Sequence, residues 1–342
     1  MKDIIQKYIK IGVDAMGGDN APEAIVKGAY MAVNKYPEVI ITLYGRVADI
    51  KLYLPSDHER INIVHCEEII PMDVKDPAMA IRRQKDSSLV VASKAVKNGE
   101  VDALVSAGAT GAIIAAGTLL VKRLKSVDRP ALAPMIPTIK KGATTILCDA
   151  GATSETKAAF IYQNALLADI YAKNVLGIPS PSIGLLNIGT EDAKGGAEQV
   201  EAFELLKNDT SLNFLGNIES KSMISGDVDI IATDGYSGNI ALKAVEGTAK
   251  DIFSLLKEEI ISTTKGKIGG LLLKSTFSNI KEIINPKTVG GAILLGISAP
   301  VIKSPGSSDA ETFMYSIGHA KKAVQNDVVN KIDKALTQKS VN

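Results

Sequence analysis

Short runs of β-branched and aliphatic residues recur along the chain, each closed by a turn rich in Gly, Asp, Ser or Thr and followed by an alanine-rich stretch with helical spacing. The first run, at residues 11–14, ends in a turn at 15–20 and leads through Pro22, in a first helical turn, into a helix to about Asn34. Residues 39–43 and 61–64 predict the next strands, and the helix after Asp86 is expected to end near Asn98 and Gly99, a C-terminal cap. The plan then repeats as strand 102–106, turn 107–111 and helix 112–125, and as strand 144–149, turn 150–154 and a long helix through Ala172. Strand 182–186 with a turn at 187–191, strand 229–233 with a turn at 234–238, and Val301-Ile302 opening onto 304–309 complete it.

Strands alternating with helices predict an α/β fold of three layers, a mostly parallel central sheet with helices on both faces. Ligands of such sheets sit beyond the carboxyl ends of the strands, where these turns are expected to gather. Residues 244–287 break the rhythm: they are amphipathic and interrupted by Gly266 and by Gly269-Gly270, which predicts a protruding helical arm. The expected division is an N-terminal extension at 1–10, one α/β domain at 11–335 that includes the arm, and a tail at 336–342.

Composition narrows the partners. Lysine plus arginine (39) almost balances aspartate plus glutamate (38), and aromatics are 4% with no tryptophan, so neither a basic field nor a stacking platform for nucleic acid is expected. Cys66 and Cys148 stand far apart, which suggests neither a disulfide framework nor a thiolate zinc site. His58, His65 and His319 lack acids or cysteines at metal spacing, so no metal is expected. The first ten residues carry charges through their apolar positions, unlike a secretory signal, and no run reaches the roughly 20 apolar residues of a membrane span. A cytoplasmic protein is expected. No P-loop occurs and no G-x-G-x-x-G follows the first strand, so an organic nucleotide cofactor is not expected either.

The chemistry that remains is anion binding by backbone. N–H groups exposed by glycine at a helix start, aided by the helix dipole, hold phosphate without a charged side chain. The segment 106–111 suits this, with Gly108 and Gly111 admitting the ligand and Ser106 and Thr110 adding hydroxyls. The same logic covers Gly189-Thr190, residues 235–239 and residues 306–308, although glycine is also the usual residue wherever a βα turn needs positive φ. Asp14, Asp149 and Asp234 end strands, as proton acceptors or as caps of the next helix. Lys157 and Lys243, in helices that follow two of the turns, could neutralise phosphate; Arg82-Arg83 is equally consistent with plain surface charge.

Seven segments, read together, resemble the bacterial phosphate acyltransferases of phospholipid synthesis. They are IGVDAMGGDNAP from Ile11, AIRR from Ala80, VSAGATGA from Val105, RPALAP from Arg129, GLLNIGTED from Gly184, TDGYSGNIALK from Thr233, and GGAILLG from Gly290 followed by APVIKSPGSSD. The resemblance spans roughly residues 10–330. It implies a fold similar to isocitrate dehydrogenases and phosphotransacetylases, and transfer of an acyl group from acyl carrier protein to inorganic phosphate without metal or organic cofactor. It also implies a homodimer built on the arm, peripheral contact with the membrane, and a downstream glycerol-phosphate acyltransferase that consumes the acyl phosphate.

On that resemblance and the chemistry of the turns, Lys157, Asp234, Asn239 and Lys243 are expected to position or neutralise the reacting groups. Asp14, Gly17, Gly18, Ser106, Gly108, Thr110, Gly111, Asn187, Gly189, Thr190, Gly235, Gly306, Ser307 and Ser308 are expected around phosphate or acyl phosphate. Four positions depart from the family pattern. Ala109 and Thr153 stand where the pattern has asparagine, Ala158 where it has proline, and Pro305 where it has histidine. They keep two other readings open: a divergent paralogue that releases acetyl phosphate from a protein-bound thioester, and a non-catalytic dimer that binds acyl carrier protein or membrane.

Overall fold

The computed structural model describes residues 8–55, 58–283 and 290–339. Its strands are β1 (Ile9–Asp14), β2 (Val39–Gly45), β3 (Ile61–His65), β4 (Ala103–Ser106), β5 (Ala131–Pro137), β6 (Thr144–Cys148), β7 (Ser182–Asn187), β8 (Asn213–Glu219), β9 (Ile230–Ala232), β10 (Ala292–Leu295) and β11 (Val301–Lys303). They form one sheet in the order β3-β2-β1-β4-β11-β10-β5-β6-β9-β7-β8. The helices are α1 (Glu23–Lys35), α2 (Val47–Tyr53), α3 (Pro77–Arg83), α4 (Ser88–Lys97), α5 (Thr110–Ala116), α6 (Ala158–Tyr171), α7 (Ala197–Asn208), α8 (Gly235–Ser262), α9 (Thr264–Leu272), α10 (Lys274–Ile283), α11 (Ala310–Gln325) and α12 (Val328–Lys339). Helices α5 and α6 each run on into a wider π-turn, at Gly117–Lys122 and Ala172–Leu176.

The sheet is mostly parallel, as the alternation predicts, but β10 pairs antiparallel with both β11 and β5, and β5 pairs antiparallel with β6. These reversals have a consequence for the site. Strands β6, β9, β7 and β8 run against β1, β2, β3, β4 and β11, so the turns do not all gather at one edge, contrary to expectation. They form two groups, one beyond β1, β4 and β11 and one beyond β6 and β9, with the β7 turn beside the latter.

Alternation along the strands separates two cores. Ile11, Val13, Val105 and Ile302 face one side of the sheet with α1 and α11, while Leu104 and Val301 face the other with α4 and α5. A smaller cluster of Ile136, Leu147 and Ile231 lies under the start of α8. Strand β1 begins at Ile9, within the stretch expected as an extension. Helix α12 continues to Lys339 and buries Leu336, the first residue of the expected tail.

Beyond Ala244, α8 leaves the sheet and is followed by α9 and α10, which supplies the predicted arm; residues 284–287 of that prediction lie outside the described residues. Leu255, Ile268, Leu271 and Leu272 are exposed along the arm, with Leu272 at 78%. Among the described residues no helix is long and apolar enough to cross a membrane.

Candidate functional site

The first group of turns is built on Asp14. Its carboxylate is buried at the end of β1 and accepts the Ser88 hydroxyl at 2.6 Å and the Ser106 hydroxyl at 2.6 Å, with the Met16 N–H at 3.4 Å. Burial pushes the carboxyl up, against the pull of the Ser106 and Ser88 hydroxyls. Ser106 Oγ in turn accepts the Gly108 N–H at 3.0 Å. Asp14, Ser106 and Gly108 therefore brace one another, and the Gly108 N–H is not a free donor. Gly17 packs into the same knot, where an added Cβ would stand 2.4 Å from Asp14 Oδ2 and 2.9 Å from the Gly108 nitrogen.

The β11 turn closes onto this knot from the side. The Ser304 N–H donates to Ser106 O at 2.8 Å, the Asp19 N–H to Gly306 O at 2.9 Å, and the Asn20 side-chain amide to Ser307 O and Ser308 O, each at 3.2 Å. Gly18, at φ 118°, lets the β1 turn pass between Ala107 and Gly306. Ser308 turns inward, donating to Pro305 O at 2.6 Å and sharing a hydrogen bond with Ser304, whereas Ser307 stays exposed. Of the residues expected around phosphate, Asp14, Gly17, Gly18, Ser106, Gly108, Thr110, Gly111, Gly306, Ser307 and Ser308 thus lie together in three turns, held to one another by the Asp14–Ser106 bond, by backbone N–H groups and by the Asn20 amide.

Helix starts differ in what they offer. Asp234 accepts the Ser237 N–H at the start of α8 and Asp309 accepts the Thr312 N–H at the start of α11, so carboxylates already occupy the positive ends of both dipoles. The start of α5 has no side-chain cap, so the first-turn N–H groups of Thr110 and Gly111 lack a side-chain acceptor, and Gly111 packs beside Pro77. Asp234, expected as a reacting group, is a buried helix cap here.

The second group is built on Asp149. Its carboxylate accepts the N–H groups of Leu132 (2.8 Å), Gly151 (3.1 Å), Ala152 (2.9 Å) and Thr153 (3.0 Å). Burial pushes its carboxyl up to about 6, against the pull of those four N–H groups. Gly235 and Gly238 press the start of α8 onto this turn, and Asn239, exposed on the same helical turn, lies over Gly151. Ala152 packs against the core beneath α5, which brings the second group toward the first.

Asn187 bonds Lys194 O at 2.9 Å and Asn217 Oδ1 at 3.0 Å, tying the β7 turn to β8; Gly189 is buried within it and Thr190 is exposed. Among the described residues no hydrogen bond joins this turn to those of β1, β4 and β11. The expected cations are exposed and paired: Lys157 with Glu155 at 2.6 Å and Lys243 with Glu246 at 2.6 Å. Another lysine, Lys303, is partly buried at the end of β11 beside Ser106. The only sequence signal for it was a charged residue closing an apolar strand.

The four departures have local explanations or consequences. Ala158 donates its N–H to Glu198 Oε2 at 2.6 Å, a bond that a proline could not make. Thr153 accepts the Glu155 N–H at 3.3 Å within its own turn. Pro305 accepts the Ser308 hydroxyl through its carbonyl. Ala109 is the residue before α5, in extended geometry, and lines a cavity of about 10 Å³ with Asp14, Gly17, Ser88 and Gly108. Asparagine is a preferred residue at such a position, so Ala109→Asn is expected to raise stability by about 1 kcal/mol in a urea titration. A lower midpoint would show that the added amide is forced into the knot instead of capping α5.

The description "fatty acid synthesis protein" belongs to the family whose model matches residues 9–331. A phosphate acyltransferase of Geobacillus sp. (strain WCH70) is 44% identical over 330 residues, 96% of this chain and 99% of that protein. One from Streptococcus pneumoniae (strain JJA) is 46% identical over 321 residues, 94% and 96% of the two chains. Among solved structures, a phosphotransacetylase from Streptococcus pyogenes superposes with TM-score 0.63 at 17% identity, covering 94% of each chain. A branched-chain phosphotransacylase from Enterococcus faecalis V583 gives 0.58 at 17% identity, covering 92% of this chain and 99% of that one. These two likenesses support the three-layer α/β fold.

Proposed function

The chain belongs to the fatty acid synthesis protein family, and from that premise we infer that it is a phosphate acyltransferase that draws its acyl group from acyl carrier protein. Similarity to phosphate acyltransferases, 44% and 46% identical over nearly the full length, carries the reading. The closure of the β1, β4 and β11 turns around the uncapped start of α5 supports it. The product, an acyl phosphate, then serves a glycerol-phosphate acyltransferase.

The chemistry is direct. A phosphate oxygen attacks the thioester carbonyl carbon, the C–O bond forms, and the tetrahedral intermediate collapses with loss of the C–S bond; the departing thiolate takes a proton from solvent. The enzyme must hold phosphate about 3 Å from that carbon and stabilise the developing oxyanion. No protein nucleophile is needed, and burial pushes the Cys66 thiol up to about 11 and the Cys148 thiol well above its ordinary value, which makes both poor nucleophiles. In this reading the first-turn N–H groups of Thr110 and Gly111, with the glycines of the β1 and β11 turns, receive phosphate, and the exposed Asn239 amide faces the acyl carbonyl. Asp234 and Gly235 act by fixing the start of α8. Lys157 and Lys243 draw anions toward the mouth, and the β7 turn, with Asn187, Gly189 and Thr190, forms its far wall.

The exposed leucines of the arm suit burial in a homodimer, with the tip around residues 268–273 available for peripheral contact with a membrane. Incubation of purified protein with phosphate and long-chain acyl carrier protein, followed by trapping with hydroxylamine, is expected to yield long-chain hydroxamate only when phosphate is present. Acetyl hydroxamate alone would favour the divergent paralogue. Absence of phosphate-dependent thiol release from any thioester would defeat both enzymatic readings.

A further inference from the structure

Lys303 closes β11 in register with Ser106 of β4 on one side and Ala292 of β10 on the other. Val301 two residues earlier packs in the core under α5, so strand alternation sends the Lys303 side chain to the same face as Ser106 and Asp14. The flanking side chains are small, which leaves a long side chain room to extend along the sheet. Its charged neighbours come from two directions: Asp19 on the β1 turn, and Lys243 and Glu246 on α8, which belongs to the opposite half of the sheet. Lys303 thus stands between the β1 turn and the body of α8.

Among the described residues its ammonium has neither an ion-pair partner within 4.0 Å nor a hydrogen bond. The contrast with the other lysines near the strand ends is plain: Lys157, Lys194 and Lys243 each have a glutamate, at 2.6, 3.8 and 2.6 Å. Burial, followed by repulsion from Lys243, holds the Lys303 ammonium below the ordinary lysine range. A partly buried cation with no carboxylate in ion-pair contact is unfavourable, and an anionic ligand reduces the penalty.

We propose that Lys303 is the cation that binds the attacking phosphate, held between the β1, β4 and β11 turns and the stretch of α8 that carries Lys243 and Glu246. This rests on the phosphate acyltransferase reading and assigns its nucleophile to one side chain. The test compares wild type with Lys303→Met and Lys303→Arg, measuring KM for phosphate, KM for acyl carrier protein substrate, and the Tm shift caused by inorganic phosphate. Loss of a charge-assisted contact is expected to raise KM for phosphate about tenfold or more in Lys303→Met, with KM for the acyl donor within about twofold of wild type. Lys303→Arg is expected to recover most of the phosphate affinity. The Tm of Lys303→Met without phosphate should equal or exceed that of wild type, because an unpaired charge has been removed. Unchanged KM for phosphate in a folded Lys303→Met protein overturns the proposal, as does an equal rise in both KM values with a lower Tm, the signature of a structural role. Should wild type form no acyl phosphate, the functional reading fails separately: phosphate raising the Tm of wild type but not of Lys303→Met still establishes the anion site.

Discussion

Gly238→Ala is expected to destabilise the protein by about 3 kcal/mol or more and to reduce phosphate-dependent hydroxamate formation about 100-fold in whatever fraction folds. A Cβ at Gly238 would stand 2.0 Å from the Asp149 carbonyl oxygen and 2.8 Å from Thr233 Cγ2. Neither atom can swing aside: Thr233 N–H donates to Cys148 O and Asp149 N–H to Thr233 O, while the Asp149 carboxylate is held by four backbone N–H groups. The strain must move α8, and Asn239 is the next residue along it. Gly235→Ala meets the same obstacle, 2.2 Å from Thr153 O and 2.4 Å from Asp149 Oδ2. Gly247→Ala, on the same helix with nothing within 4 Å, is the control; helix propensity alone should stabilise it by roughly 1 kcal/mol. Urea titration of the two variants separates the effects, and equal midpoints for Gly238→Ala and Gly247→Ala would show that the close approach of α8 to the β6 turn is not maintained in solution.

The parallel units were legible because each is local: an apolar run, a glycine turn and a helical stretch lie within about 30 residues. The reversal at the centre of the sheet was not. Strand β5 carries Pro134 and Pro137, and proline argues against a central strand when read alone; here the flanking strands β10 and β6 complete the ladder around it. β10 is four residues between glycine turns, and β8 contains Gly216 at φ 103° beside polar positions. Direction is set by which strands meet, and no window of sequence records that.

The turns as anion cradles were legible in part for a similar reason. Glycine spacing marks where backbone can approach a ligand, but not which N–H groups remain available. Ser106 takes the Gly108 N–H, and Asp234 and Asp309 cap the helices that follow two of the turns. Lys157 and Lys243, in helices after turns, find glutamates; Lys303 closes a three-residue strand whose pairing with β4 gives it a place beside Ser106.

Asp14→Ala should unfold or inactivate the protein more severely than Ser88→Ala, although each removes one half of the same hydrogen bond. The serine variant leaves Asp14 with the Ser106 hydroxyl and the Met16 N–H. The aspartate variant leaves two buried hydroxyls, those of Ser88 and Ser106, without their acceptor and opens space beside the existing cavity of about 10 Å³. Each unsatisfied buried group costs about 1–3 kcal/mol, so a loss of roughly 3–5 kcal/mol is expected for Asp14→Ala against about 1 kcal/mol for Ser88→Ala. Ser106 then loses the bond that orients the oxygen accepting the Gly108 N–H, and the start of α5 is released with it. Asp14→Asn keeps the volume and one acceptor oxygen, while its amide can donate to a hydroxyl that reverses its own bond; it should retain most of the stability. Denaturant midpoints ordered wild type, Asp14→Asn, then Asp14→Ala support a carboxylate whose work is holding the turn. A folded Asp14→Asn protein with no acyl phosphate formation would instead assign the negative charge of Asp14 a direct part in the reaction.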